Sequence, residues 1–101
     1  MNPSASTPPI SRLHAVIEGR VQGVGFRYFV IEKALPKNLT GWVRNTRQGA
    51  VEVMAEGKLS DLQSFLDDLR AGPSSAFVTQ VQQEWLEPTG EFSRFFIAST
   101  G

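Results

Sequence analysis

Gly19-Arg20-Val21-Gln22-Gly23-Val24-Gly25-Phe26-Arg27 is where this chain changes its period, and the fold is read outward from it. Before the stretch, Leu13, Ala15 and Ile17 alternate with His14, Val16 and Glu18. A period of two is a strand, and apolar residues on both faces place it centrally in a sheet. After the stretch, Phe26, Phe29, Val30 and Ala34 recur at helical spacing. The sequence therefore reads strand, glycine-rich loop, helix start. Such a loop leaves backbone N–H groups free at a helix N-terminus, where the helix dipole favours an anion. Arg27 adds a planar guanidinium suited to bidentate phosphate contact. A phosphate cradle is the reading that the rest of the chain has to fit.

Pro36 limits the helix that starts at Phe26, because the residue before a proline is pushed out of the α region. Asn38 is one of the few non-glycine residues that tolerates a left-handed cap. Thr40 to Arg44 reads as a second strand, with Trp42 and Val43 on opposite faces. Asn45-Thr46-Arg47-Gln48-Gly49 is a turn, and Ala50 to Glu56 returns as a clean alternation, so the two strands form a hairpin. Ser60 is the expected N-cap of a second helix, with Gln63 completing a capping box. Leu59, Leu62, Phe65, Leu66 and Leu69 are its apolar stripe, and Gly72-Pro73 stops it. Phe77 to Glu87 is a long extended segment with Phe77, Val81 and Trp85 in phase, and Phe92 to Ala98 is a last strand. The order is βαββαβ plus a C-terminal strand. That is an α+β, ferredoxin-like split βαβ sandwich, with two helices on one face of an antiparallel sheet. Residues 1–11 read as a disordered Pro/Ser-rich tail and 12–99 as the domain.

Bulk composition narrows the function. At 101 residues the chain is one domain. Ten basic residues balance ten acidic ones, which argues against nucleic acid or an anionic membrane as the main partner. There is no cysteine, so a disulfide framework, a cysteine zinc site and a thiolate nucleophile are excluded. This is compatible with a cytoplasmic protein. The N-terminus lacks the basic and apolar regions of a secretory signal.

Rival phosphate motifs fail on particular residues. A nucleotide P-loop needs five positions from its first glycine to its second and then Lys-Ser/Thr; here Gly19 and Gly23 are four apart and Phe26-Arg27 follows Gly25. The dinucleotide pattern begins with Gly23-Val24-Gly25 but has Tyr28 where its third glycine belongs. A phosphocysteine loop would place a cysteine at position 21, which is Val. The RNA-recognition fold shares the element order, but its aromatic strand motif breaks on Val24 and Arg27.

The chain resembles the acylphosphatase family. Gly19 to Arg27 matches the family's first signature; Gly41-Trp42-Val43-Arg44-Asn45, continued by Gly49-Ala50-Val51-Glu52, matches its second. The two keep the family's spacing, and the resemblance runs from about Leu13 to Ile97. It implies a small, metal-independent hydrolase without a cofactor, splitting an acyl phosphate into carboxylate and inorganic phosphate. It implies that Arg27 binds the phosphoryl group with the loop amides of Gln22, Gly23, Val24, Gly25 and Phe26. It implies that Asn45 positions the attacking water, supported by Thr46. The partners implied are a small-molecule acyl phosphate and inorganic phosphate, the latter both product and competitive inhibitor, on a cytoplasmic monomer with no nucleic acid and no membrane.

Two other functions stay in view. One is a non-catalytic ferredoxin-like module that binds a phosphorylated ligand or a protein; it needs the donor loop but has no use for Asn45. The other is RNA binding, against which the neutral charge argues. His14, the only histidine, sits inside an alternating strand and reads as structural or superficial. Trp42 and Trp85 read as packing residues, Asp67-Asp68 as a solvated helix face, and Arg20, Arg44 and Arg47 as surface charge that also raises the local positive potential.

Overall fold

A computed structural model of the chain describes residues 9–101. The elements are β1 (Ile10–Arg20), α1 (Phe26–Ala34), a 3-10 turn (Leu35–Lys37), β2 (Thr40–Asn45), β3 (Val51–Lys58), α2 (Leu59–Ala71), β4 (Phe77–Leu86) and β5 (Phe95–Ile97). The expected order holds, with one sheet of five strands in the order β4-β1-β3-β2-β5. β1 starts at Ile10, inside the stretch read as tail; residues 1–8 of that tail lie outside the described residues.

Period-two alternation decides which face is buried. Leu13, Ala15 and Ile17 of β1, Val43 of β2, and Val51, Val53 and Ala55 of β3 are all buried. Phe26, Val30 and Ala34 of α1 and Leu62, Phe65, Leu66 and Leu69 of α2 join them in one cluster. At about 25 cal/mol per Å² of apolar area, this cluster is the main favourable term in folding. Phe65 meets Phe95 of β5 edge-to-face, with ring centroids 6.1 Å apart, which ties the short last strand to the core.

Three expectations need correction. The sheet is mixed, not antiparallel throughout: β5 pairs in parallel with β2, Gly41 opposite Phe95 and Val43 opposite Ile97. The reason is the connection. β4 runs antiparallel to β1 at one edge, and the chain then crosses under the sheet and rises along the far edge, beside a β2 that already points the same way. The capping box at Ser60 does not form. α2 begins at Leu59, its N-cap is Lys58, and no side chain caps it. β3 runs to Lys58 and passes into the helix without a loop, so the helix starts before Ser60 is in a capping position. Finally, the three in-phase residues of β4 do not share one environment: Val81, like Val78, packs against the core, whereas Phe77 is 69% exposed and Trp85, read as a packing residue, is 40% exposed. β4 is an edge strand, and its register against β1 shifts between Glu18 and Gly19, where Thr79 of β4 is the extra residue.

Asn38 takes the left-handed conformation expected of it, with φ 55°, and caps the 3-10 turn that Pro36 forces after α1. The last strand is shorter than its apolar run, covering Phe95–Ile97 of the predicted Phe92 to Ala98.

Candidate functional site

β1, β2 and β3 bring their loop ends together at one end of the sheet, where Ile17 faces Val51 and Val51 faces Asn45. The glycine loop lies over this end. Two apolar side chains hold it down: Val21 and Phe26 are 1% and 2% exposed. Between them Gln22 and Val24 are half-buried, and Gly23 and Gly25 are exposed. Burying the loop's two ends lifts its middle into a bridge of peptide groups.

Glycine is required here by geometry. Gly23 and Gly25 have φ of 74° and 78°, a region that costs an L-residue roughly 1–2 kcal/mol. At Gly19 the constraint is also one of space, since a Cβ would run into the Phe77 carbonyl of β4. Gly25 is the N-cap of α1 and gives no side-chain cap. The amides of Gln22, Gly23, Val24, Gly25 and Phe26 make no close hydrogen bond to a backbone acceptor among the described residues. On the other side of the loop, Ser75 donates its hydroxyl to the Val24 carbonyl at 2.9 Å, so this carbonyl is held from the side away from the amides. This is the donor arrangement of an anion site at a helix N-terminus.

Arg27 is the second residue of α1 and is half-buried. Among the described residues it has no ion pair and no side-chain hydrogen bond. A cation in the first turn of a helix opposes the dipole. Holding one there without a carboxylate partner is unfavourable unless an external anion completes it. That distinguishes Arg27 from Arg12, Arg44 and Arg70, each of which has a carboxylate.

Asn45 ends β2 and shares a face with buried Val43, so it stands on the helix side of the sheet, beside the loop. Its carbonyl accepts from the Gly101 amide at 3.1 Å, which leaves the side chain free of the backbone bonding that holds the strand end. Thr46 closes the turn twice. Its amide donates to the Ala50 carbonyl at 2.9 Å, and its hydroxyl accepts from the Ala50 amide at 3.0 Å.

Loop and hairpin are joined by a contact that sequence reading did not find. The side-chain amide of Gln22 donates to the Thr46 carbonyl and to the Ala50 carbonyl, both at 2.8 Å. Sequence assigns Gln22 only a backbone amide in the cradle. Nothing in the residue order shows that its side chain crosses to the hairpin, because that depends on how β1 and β3 pair.

The remaining candidates separate from this site. His14, Arg44 and Glu52 lie on the other face of the sheet, which no helix covers. His14 Nε2 meets Glu52 Oε2 at 2.7 Å, Arg44 Nε donates to Glu52 Oε1 at 2.8 Å, and His14 Nδ1 lies 3.4 Å from Glu84. Burial raises the Glu52 pKa, but the hydrogen bonds from His14 and Arg44 outweigh it and hold the carboxyl below its ordinary value. His14 is thus part of a cross-strand hydrogen-bond network, as its place in the strand suggests. Trp42 lies under the Arg44 guanidinium, 4.9 Å from its ring centre. A broad groove on this open face is lined by Val16, Glu18, Arg44, Arg47 and Glu52 and reaches Thr46 and Ala50 at the hairpin, but neither Arg27 nor Asn45 lines it.

The acylphosphatase family model matches residues 13–97. An acylphosphatase of Geobacillus thermodenitrificans is 45% identical over 91% of this chain and 98% of its own length. The crystal structure of acylphosphatase from Bacillus subtilis superposes with a TM-score of 0.84 at 39% identity, covering 87% of this chain and 98% of that one. An acylphosphatase structure from Coxiella burnetii gives 0.83 at 35% identity, covering 88% and 93%. The glycine cradle over the strand ends, the unpaired arginine that follows it and the hairpin that carries Asn45 therefore sit in a chain that belongs to the acylphosphatase family.

Proposed function

We propose that this acylphosphatase-family chain hydrolyses acyl phosphates at the junction of loop and hairpin, with Arg27 and Asn45 as its catalytic residues. The phosphoryl oxygens are held by the amides of Gln22, Gly23, Val24, Gly25 and Phe26 and by the guanidinium of Arg27. The observation that carries this reading is the combination of uncommitted amides with a half-buried arginine that has no carboxylate partner.

Chemistry follows from the substrate. A carboxylate is a good leaving group, so the enzyme has little covalent work to do. The transition state spreads negative charge over the equatorial phosphoryl oxygens, and preorganised donors stabilise it there. A water oxygen forms the new bond to phosphorus on the side opposite the acyl oxygen. The P–O bond to the acyl group breaks, and its electron pair leaves as carboxylate. The water's proton passes to a phosphoryl oxygen, so no protein base is needed. Asn45 orients the water, since a neutral amide directs but does not take a proton. Thr46 supports it by holding the turn closed.

Inorganic phosphate fits the same cradle and competes with substrate. The reading extends to a monomer, because loop, arginine and hairpin all come from one chain, and to a cytoplasmic location, with which the absence of cysteine is compatible. Among the described residues no helix is long and apolar enough to cross a membrane.

The test is release of phosphate from a simple acyl phosphate, with and without chelator, comparing the wild type with Arg27→Ala and Asn45→Ala. Turnover unaffected by chelator and lost in both variants is expected. Phosphate binding without turnover in the wild type would instead mark a non-catalytic phosphate-binding module.

A further inference from the structure

We propose that the Gln22 side chain is a positioning residue: it clamps the hairpin to the phosphate loop and so sets where Asn45 stands relative to the bound phosphoryl group. The inference rests on the catalytic reading above, and extends it to a side chain that does not touch the substrate.

Its basis is an unusual bonding pattern. Gln22 Nε2 reaches two carbonyls, Thr46 O and Ala50 O, each at 2.8 Å. Both partners are acceptors only, so the nitrogen must face them; the orientation of the amide is settled by its partners. These are the two residues that close the turn through Thr46 N to Ala50 O at 2.9 Å and Ala50 N to Thr46 Oγ1 at 3.0 Å. Gln22 therefore grips the turn at its closing pair, immediately after Asn45. Both contacts are shielded from solvent in part, which makes them worth more than surface bonds.

The same residue contributes its backbone amide to the proposed cradle. One peptide unit thus faces the anion while its side chain holds the hairpin. If Gln22 shifts, the donors and the water-aiming amide move relative to each other. A displacement of about 1 Å between such groups is enough to cost roughly 100-fold in rate. The remaining supports do not bridge the gap: Ser75 holds the loop from the β4 side, and Thr46 closes the hairpin on itself.

Gln22→Met keeps the length and removes both donors, while leaving the backbone amide in place. The clamp predicts that kcat for acyl phosphate falls about 10–100-fold, while the inhibition constant of inorganic phosphate changes less than about 3-fold. In an Asn45→Ala background the same substitution should have almost no further effect on kcat, because the group it positions is gone. Gln22→Glu, which sets a carboxylate against two carbonyls, should be worse than Gln22→Met in kcat and in thermal stability. With an active wild type, two results overturn the proposal: a Gln22→Met kcat within about 2-fold of wild type, or a phosphate constant that weakens by the same factor as kcat falls. The second would place Gln22 in the cradle alone. Failure of the catalytic reading is separately visible as a wild type without turnover. The clamp is then read from the Asn45 side-chain amide by NMR: phosphate should shift its resonances in the wild type and leave them unmoved in Gln22→Met, and equal shifts in both would overturn it.

Discussion

The two ends of this sheet use the same donors for opposite purposes. At the far end, Glu56 is buried, 4% exposed, and is surrounded by an arginine and by backbone amides. Thr89 N donates to it at 2.8 Å, Gly90 N at 3.0 Å and the Thr89 hydroxyl at 3.2 Å, with Arg12 3.5 Å away. At the near end, a set of loop amides and Arg27 face no carboxylate among the described residues. Both ends assemble amides around a glycine with positive φ, and both add a guanidinium. At Glu56 the anion is built in, and the result is a rivet that pins the crossing from β4 to β5. At the proposed cradle no anion is built in, and the proposed function has the substrate's phosphoryl group supply it.

The sharpest way to break this contrast is to remove the cation at each end. Arg27→Ala should lower acyl phosphate turnover by about 10³-fold or more with little loss of stability, as expected for a group that holds the phosphoryl oxygens and stabilises their charge most strongly in the transition state. Asn45→Ala should cost turnover on a similar scale and leave the melting temperature nearly unchanged. At the far end the outcome reverses. Glu56→Ala should destabilise the fold by about 3 kcal/mol, measured by denaturant unfolding, because it leaves the amides of Thr89 and Gly90 without their acceptor and Arg12 with only the exposed Glu91 as a carboxylate partner, yet it should leave KM alone. A loss of activity that tracks unfolding in Arg27→Ala would erase the distinction.

A third measurement sets an external anion against the internal one. Inorganic phosphate at a hundred times its dissociation constant should stabilise the protein by about 2.7 kcal/mol, read as a rise in melting temperature. Arg27→Ala should lose most of that rise, and Glu56→Gln should keep it. Acid should act in the reverse sense. Burial raises the Glu56 pKa, but the hydrogen bonds from Thr89 and Gly90, with Arg12, more than offset it and hold the carboxyl below its ordinary 4.5. A depressed folded pKa contributes stability that is complete above 4.5 and is lost as pH falls through the folded value. The melting-temperature gap between wild type and Glu56→Gln should therefore be steady near neutral pH and close on acidification below 4.5.

The smallest expected effect compares glycines. Gly25 and Gly90 have φ of 78° and 70°, and neither has a neighbour that a Cβ would strike. Alanine at either should cost about 1–2 kcal/mol of stability, from backbone strain alone. Only Gly25→Ala should also weaken the stabilisation by phosphate, a difference that calorimetry can resolve.

Local sequence carried much of this. The change of period at the glycine loop gave the β1–α1 unit, and α1 begins at Phe26 as the spacing predicts. Asn38 and Pro36 were readable because φ preference is a property of single residues. Ser60 shows the limit of the same logic. A good capping residue one position inside the helix is useless, and only the continuation of β3 into α2 decides where the helix starts. Phe77 and Trp85 show another limit: alternation identifies a strand but not whether it lies at an edge.

What the sequence by itself determined was the donor set: glycines that admit positive φ, an arginine opening a helix, an asparagine before a turn, and their order along the chain. These follow from residue chemistry acting over a few neighbours. What only the tertiary structure decided was which of them meet. The antiparallel register of β1 with β3 brings the loop to the hairpin, and Gln22 joins them across 24 and 28 residues. The crossing of the chain under the sheet makes β5 parallel to β2 and brings Thr89 and Gly90 to Glu56. Strand pairing joins residues far apart in the chain, and short-range periodicity carries no record of which strands will pair.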